Sequence, residues 1–222
     1  MVWNPENHFH QHLVRGLLLA LLLSVPMLTL TGCASRSPEP RYYLLTGPEE
    51  KPAGTSEKAN RLVLGLETLE IADYLDRPQI AVRETDGRIR FSDGQRWASG
   101  FRASASRILR TTLSESLDTN LILKYPWRKS AGVDYRLQVD LERLDGKPGD
   151  TARLLASWWL FDEASGNLLV ARETRLETPV NGPEMGDLIR AESALLVELG
   201  ETIALAVSDS RAATPESLAP DS

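Results

Sequence analysis

The clearest pattern in the chain is an alternation of apolar and polar residues in its second half. Between residues 133 and 144, apolar positions alternate with charged or amide positions, which predicts a strand with one buried and one wet face. Two more apolar segments, residues 151–161 and 168–177, each follow a stretch of turn-forming residues. Strands joined by short turns pair antiparallel, so these three segments predict a meander.

Two other segments place apolar residues at helical spacing. Residues 101–117 carry one such stripe, and a second helix is expected to open at Asn181-Gly182-Pro183 with a stripe from Leu188 to Ala206. Shorter strands are predicted at residues 41–45, 61–69, 79–83, 88–91 and 121–123, with a turn at 92–94. This order predicts an α+β fold: a single domain, residues 41–207, with a mostly antiparallel sheet and two long helices packed on it.

The amino-terminal pattern predicts export and lipid attachment. The apolar run from Leu17 to Leu30 is shorter than the roughly 20 residues of a membrane span and suits a signal peptide. Leu30-Thr31-Gly32-Cys33 resembles the bacterial lipobox, which implies removal of residues 1–32 and acylation of Cys33. The alternative is a plain signal peptide or short anchor with an incidental cysteine. Residues 33–40 then form a lipidated tether, and residues 208–222 are expected to be disordered.

Composition and charge argue against several classes of function. The net charge of −6 and the lack of a basic block argue against a nucleic-acid partner. The chain has one cysteine and three histidines, and the histidines all precede the apolar run, so the mature chain would keep no histidine. We therefore predict no catalytic residue, metal site or cofactor, and no enzyme. The carboxylate pairs Glu67/Glu70 and Asp134/Asp140 could in principle serve glycoside hydrolysis, but nothing distinguishes them from surface carboxylates.

Four motifs together point to one family. They are Tyr42-Tyr43-Leu44-Leu45, the segment from Asp73 to Ile80 (DYLDRPQI), Arg96-Trp97-Ala98, and the end of the last helix from Leu199 to Ala206. In this order they resemble the PqiC-type ABC-transport auxiliary lipoproteins over most of residues 41–207. One departure is Ser99-Gly100-Phe101, where that family usually has an acidic residue, proline and leucine.

The resemblance implies a role in transport. It implies an accessory or docking component for an MCE-domain periplasmic subunit of an ABC transport system, implicated in lipid traffic between the inner and outer membranes. Ala34 rather than aspartate follows Cys33, which favours the outer membrane and its periplasmic face. The alternative is a lipoprotein that assists assembly of another envelope complex. Mutual contact between copies around a tube-like partner would give a homo-oligomer.

The candidate partner-binding residues are Asp73, Tyr74, Asp76, Arg77, Trp97 and Trp159. The first four form either a contact surface or a structured turn in which Asp caps backbone amides and Tyr74 plugs the core. Trp158 and Trp159 point to opposite faces of one strand, so one is expected in the core and the other at a subunit or partner interface or at the membrane interface. Arg102, Arg107 and Arg110 form either a lipid-headgroup or acidic-partner site or a solvated helix face.

Overall fold

The computed structural model describes residue 15 and residues 39–49 and 62–213. The expected signal peptide, with residue 15 excepted, Cys33 and most of the tether lie outside the described residues, as does the end of the tail from residue 214. The strands are β1 (Arg41–Tyr43), β2 (Leu64–Leu66), β3 (Glu70–Ile71), β4 (Gln79–Arg83), β5 (Ile89–Trp97), β6 (Ile122–Lys124), β7 (Tyr135–Gly146), β8 (Thr151–Asp162) and β9 (Leu168–Pro179). The helices are α1 (Phe101–Ser116) and α2 (Met185–Ala213), with a 3-10 turn at Lys129–Ala131.

The described residues combine two helices with two sheets, which confirms the α+β class, and the main sheet is mixed. Its order is β6-β2-β7-β8-β9, with β3 also paired to β7. The predicted meander β7-β8-β9 is antiparallel, but β2, β3 and β6 join by parallel pairing. Parallel neighbours need a long crossover, and the segment that carries α1 provides one between β2 and β6.

A second sheet of three strands, in the order β1-β5-β4, corrects the expectation of one sheet. The turn predicted at residues 92–94 is wrong, because β5 runs through it to Trp97. The register between β4 and β5 shifts there: Ala81 pairs with Phe91 and Gln79 with Arg96. The turn-forming residues therefore make a bulge that bends the strand without ending it.

Both helices belong to the single core of the domain. Helix α2 packs across β7, β8 and β9, and α1 packs against α2. The predicted apolar stripes are buried, including Ile108 and Leu109 of α1 and Leu195 and Leu199 of α2. Helix α2 continues to Ala213, past the domain boundary predicted at residue 207, so residues 208–213 are helical rather than a disordered tail.

Candidate partner-binding surface

In the family-like segment from Asp73 to Ile80, residues 73–78 form a turn anchored by Tyr74, and the last two residues begin β4. The Leu75 amide donates to the Ala72 carbonyl (2.9 Å), which closes the turn, and the Leu75 side chain is buried. The Tyr74 hydroxyl donates to Asp145 Oδ2 (2.7 Å) and accepts from the Leu144 amide (3.3 Å). The turn is therefore tied to the end of β7 by one tyrosine.

Asp145 is the centre of a buried ionic cluster that sequence reasoning missed. Its side chain is fully buried and accepts from Arg83 Nε (2.7 Å), Arg83 Nη2 (2.6 Å) and Arg143 Nε (2.9 Å). Burial alone would raise the pKa of Asp145, but the hydrogen bonds from Arg83 and Tyr74 and the charge of Arg143 outweigh it and lower this pKa. The Asp145-Gly146 pair has the composition of a turn, which concealed a carboxylate at the end of a strand.

Burial of Tyr74, with the nearby negative charge of Asp145, raises the pKa of the phenol above its usual value. Glu192 of α2 is a second buried carboxyl of this region. Burial first, and then the charge of Asp145, raise the pKa of Glu192 well above that of an exposed glutamate. The region thus holds one ionised carboxylate with its cations and one carboxyl that favours the neutral form.

Asp73, Asp76, Arg77 and Pro78 are exposed, and Asp76 and Arg77 already have contacts within the domain. Asp76 accepts from Arg102 Nη2 (3.2 Å), and the Arg77 guanidinium lies 4.8 Å from the centre of the Phe91 ring. Asp73 is exposed. The turn therefore presents Asp73 and Arg77 to solvent, while Tyr74 and Asp76 stabilise the domain itself.

The arginines of α1 bind their own domain. Arg102 Nη1 donates to the Leu69 carbonyl (2.5 Å), and Arg107 Nη2 donates to the Leu45 carbonyl (3.3 Å). Arg110 is partly buried, and its Nε is buried without a hydrogen-bond partner. Two of the three guanidinium groups thus contact loop carbonyls of the domain, and the row is not a uniform solvated face.

The tryptophans divide between the core and the surface. Trp158 is fully buried, and its Nε1 donates to Thr174 Oγ1 (2.9 Å). Trp97 is 8% exposed and its ring packs against Phe101 at 5.5 Å, so it offers a partner almost no surface. Trp159 points to the opposite side of the main sheet from Trp158 and is half-buried there.

We call the side of the main sheet that carries Gln138, Asp140 and Trp159 the open face. It holds a groove of about 460 Å³, here named the open-face groove. The residues that line it are Glu67, Thr68, Glu70, Tyr125, Gln138, Val139, Asp140 and Trp159. Of the candidate partner-binding residues, only Trp159 lies in this groove.

Aromatic side chains form one part of the groove. The Trp127 ring lies directly on Gly65 of β2, where an added Cβ would be only 2.7 Å from Cη2 of the indole. Tyr125 meets Trp127 edge to face, with ring centres 5.4 Å apart, and remains 53% exposed. The composition of Tyr125-Pro126-Trp127 indicates only a turn, and no local pattern in the sequence indicates that the Trp127 ring packs on Gly65.

The carboxylates of the groove differ in how they are neutralised. Glu67 accepts from Arg136 Nη1 (2.9 Å) and Gln138 Nε2 (2.6 Å). Glu70 lies 3.6 Å from Arg102, an arginine also bound to Asp76. Asp140 has no ion pair within residues 39–49 and 62–213. Partial burial and the charges of Glu142 and Glu70 raise its pKa.

The groove combines aromatic surface with carboxylates, of which Asp140 has no cation partner among the described residues. Among the described residues, no group of histidine, cysteine and carboxylate side chains could hold a metal ion. Asp134, from the second candidate carboxylate pair, accepts the Val63 amide (2.7 Å) and so supports a loop. In the same part of the chain, no helix combines the length and apolarity needed to span a bilayer.

In the described part of the chain, two helices on one face of a mixed sheet and a groove on the other define a small α+β domain. Residues 43–204 match the family described as the ABC-type transport auxiliary lipoprotein component, and the chain belongs to that family. It is 24% identical to the intermembrane transport lipoprotein PqiC of Escherichia coli over 156 residues, which cover 70% of this chain and 80% of that protein. The family is one of transport auxiliary lipoproteins and not a known enzyme family.

Solved structures share the fold. The crystal structure of a Xanthomonas campestris protein superposes with a TM-score of 0.62 at 16% identity, covering 78% of this chain and 98% of that one. A crystal structure of an uncharacterised protein superposes with a TM-score of 0.63 at 18% identity, covering 76% and 99%. At these identities the likeness concerns the fold alone.

Proposed function

We propose that this protein is an outer-membrane lipoprotein, acylated at Cys33, that docks an MCE-domain periplasmic subunit of an ABC transport system. The family assignment carries the proposal, and the lipobox-like Leu30-Thr31-Gly32-Cys33 supports the anchor. Ala34 after Cys33 favours the outer membrane, with the domain facing the periplasm. Its role is binding, since the open-face groove offers aromatic and acidic surface rather than a nucleophile with a base.

The anchor would hold the domain close to the bilayer. Each buried methylene contributes about 0.8 kcal/mol, so a multiply acylated cysteine stays in the membrane while one chain binds only marginally. The tether between Cys33 and Arg41 spans at most about 28 Å when fully extended. The domain therefore stays near the membrane, and a partner must come within its reach to bind it.

The anchor is tested with Cys33→Ser in the native host. We expect the wild-type chain to begin at an acylated Cys33, and the variant to remain an unlipidated precursor, as read by intact mass spectrometry. Density-gradient fractionation then locates the wild type, and recovery with inner-membrane markers would contradict the outer-membrane assignment. A variant that is still fully lipidated would contradict the anchor.

The partner is tested by purifying the tagged, lipidated protein from membranes and identifying bound proteins by mass spectrometry. Recovery of an MCE-domain subunit supports the proposal. Recovery of an outer-membrane assembly factor without an MCE-domain subunit favours the alternative, a lipoprotein that assists assembly of another envelope complex. Because assembly around a tube-like partner favours cyclic symmetry, we also expect several copies per complex, which native mass measurement reads directly.

A further inference from the structure

The open-face groove keeps aromatic surface exposed where a sheet face would normally be polar. Tyr125 is 53% exposed and Trp159 is half-buried, both beside the main sheet and away from the helices. Tryptophan and tyrosine are enriched where proteins contact their partners. No described segment of the chain covers these two rings.

The charge of the groove indicates which partner chemistry fits. Arg136 is fully engaged, since it pairs with Glu67 and Glu163 and lies 4.2 Å from the centre of the Phe161 ring. Arg102 lies 3.6 Å from Glu70 and forms a closer ion pair with Asp76. Asp140 has no such cation among the described residues, and it stands near two further carboxylates, Glu70 and Glu142, whose charges it feels. The groove therefore carries negative charge that the described part of the domain leaves unneutralised.

We propose that the open-face groove is the socket for a lysine or arginine side chain of the partner subunit. A cation set between Trp159 and Asp140 would gain both the attraction of an aromatic face and that of a carboxylate. Its aliphatic stem would cover the exposed rings, which a small ion could not do. This inference rests on the proposed function for the identity of the partner, while the groove chemistry stands on its own.

The test compares groove variants with matched variants on helix α2. Trp159→Ala is paired with Leu205→Ala, which removes a side chain 68% exposed, and Asp140→Asn is paired with Glu198→Gln, an exposed carboxylate. Each lipidated protein is placed in zwitterionic nanodiscs, and its Kd for the periplasmic part of the MCE-domain subunit is measured at two salt concentrations. Circular dichroism checks that each variant is folded.

We expect Trp159→Ala to raise Kd about tenfold or more and Asp140→Asn to raise it about threefold. Asp140→Asn should also weaken the salt dependence of Kd, which a loss of packing alone would not do. The α2 variants should bind like wild type. If both groove variants also bind like wild type, the inference is wrong although the proposed function stands.

A second probe separates the two proposals. If wild type does not bind the MCE-domain subunit, the proposed function fails, and a hexalysine peptide then tests the groove directly by NMR of the Trp159 indole. A shift that Asp140→Asn diminishes and Glu198→Gln preserves supports the socket, and identical titrations overturn it. If Trp159→Ala abolishes self-association while partner binding is unchanged, the groove joins copies of this chain and the inference is wrong.

Discussion

Replacing Tyr74 with phenylalanine tests whether the family-like turn is held by its tyrosine or serves as a contact surface. Tyr74→Phe keeps the ring and removes a hydroxyl that donates to Asp145 at 2.7 Å and accepts from the Leu144 amide at 3.3 Å. A hydrogen bond to a charged group contributes roughly 1.5–3 kcal/mol. Because Arg83 and Arg143 still hold Asp145, we expect a loss of about 2 kcal/mol in the free energy of unfolding.

Urea unfolding followed by circular dichroism measures this loss. With a slope of about 2 kcal/mol per M, the midpoint should fall by about 1 M. The matched control is Tyr125→Phe, whose exposed hydroxyl makes no hydrogen bond to the described residues and should cost less than about 0.5 kcal/mol.

The stability that Asp145 contributes changes with pH in a definite direction. The lowered pKa of Asp145 means that its contribution is present above the unfolded value near 3.9 and is lost as the pH falls through the folded value. Tyr74→Phe shifts that pKa back toward the ordinary one, so the two proteins should differ most at neutral pH and converge in acid. Equal midpoints for Tyr74→Phe and Tyr125→Phe at pH 7 would refute the reasoning and return Tyr74 to the candidate contact residues.

Two further changes act on α2. The raised pKa of Glu192 means that wild-type stability declines as the pH rises from about 4.3 toward the folded value, by at most about 1.4 kcal/mol per pH unit from this group. Glu192→Gln should flatten that decline in urea titrations at successive pH values, and parallel curves would contradict it. Gly200→Ala would place a Cβ 2.8 Å from Thr112 Cγ2 of α1, so overpacking of about 1–3 kcal/mol should exceed the gain of about 1 kcal/mol in helix propensity. The control is Gly186→Ala, whose added Cβ meets only Arg190 Nη1 at 3.7 Å, so this variant should not lower the thermal midpoint of unfolding. If Gly200→Ala unfolds at or above the wild-type temperature, α1 and α2 can move apart to fit the methyl group, and the reasoning is wrong.

The long strands and helices could be predicted because the apolar residues of each recur at the spacing of a strand or of a helix. The alternation in β7 follows from one buried sheet face, and it holds in the structure from Tyr135 to Glu142. It ends at the register shift near Arg143, after which residues 144–146 are all buried. The sheet of β1, β5 and β4 could not be predicted, because its pairing joins residues far apart and β5 crosses Ser92-Asp93-Gly94. Local turn chemistry there bends the strand while the pairing with β1 continues it.

The candidate partner-binding surface was predicted only in part, for a similar reason. Strand alternation alone placed Trp159 opposite Trp158, and the structure agrees. No local signal tells that Trp97 is buried, since that depends on Phe101 packing against it. Nor does the sequence show that Asp145 gathers Arg83 and Arg143, because these contacts form only when the sheets and the turn assemble.

Gly65 has a consequence that reaches beyond β2. Its missing side chain lets the Trp127 indole pack directly on the strand, and that indole contacts Tyr125, which lines the groove. Any larger residue at this position would displace the Trp127 indole from the strand and shift the Tyr125 ring that contacts it. Natural variation at one backbone position could thus open or close this surface in related proteins while every residue that lines it stays the same.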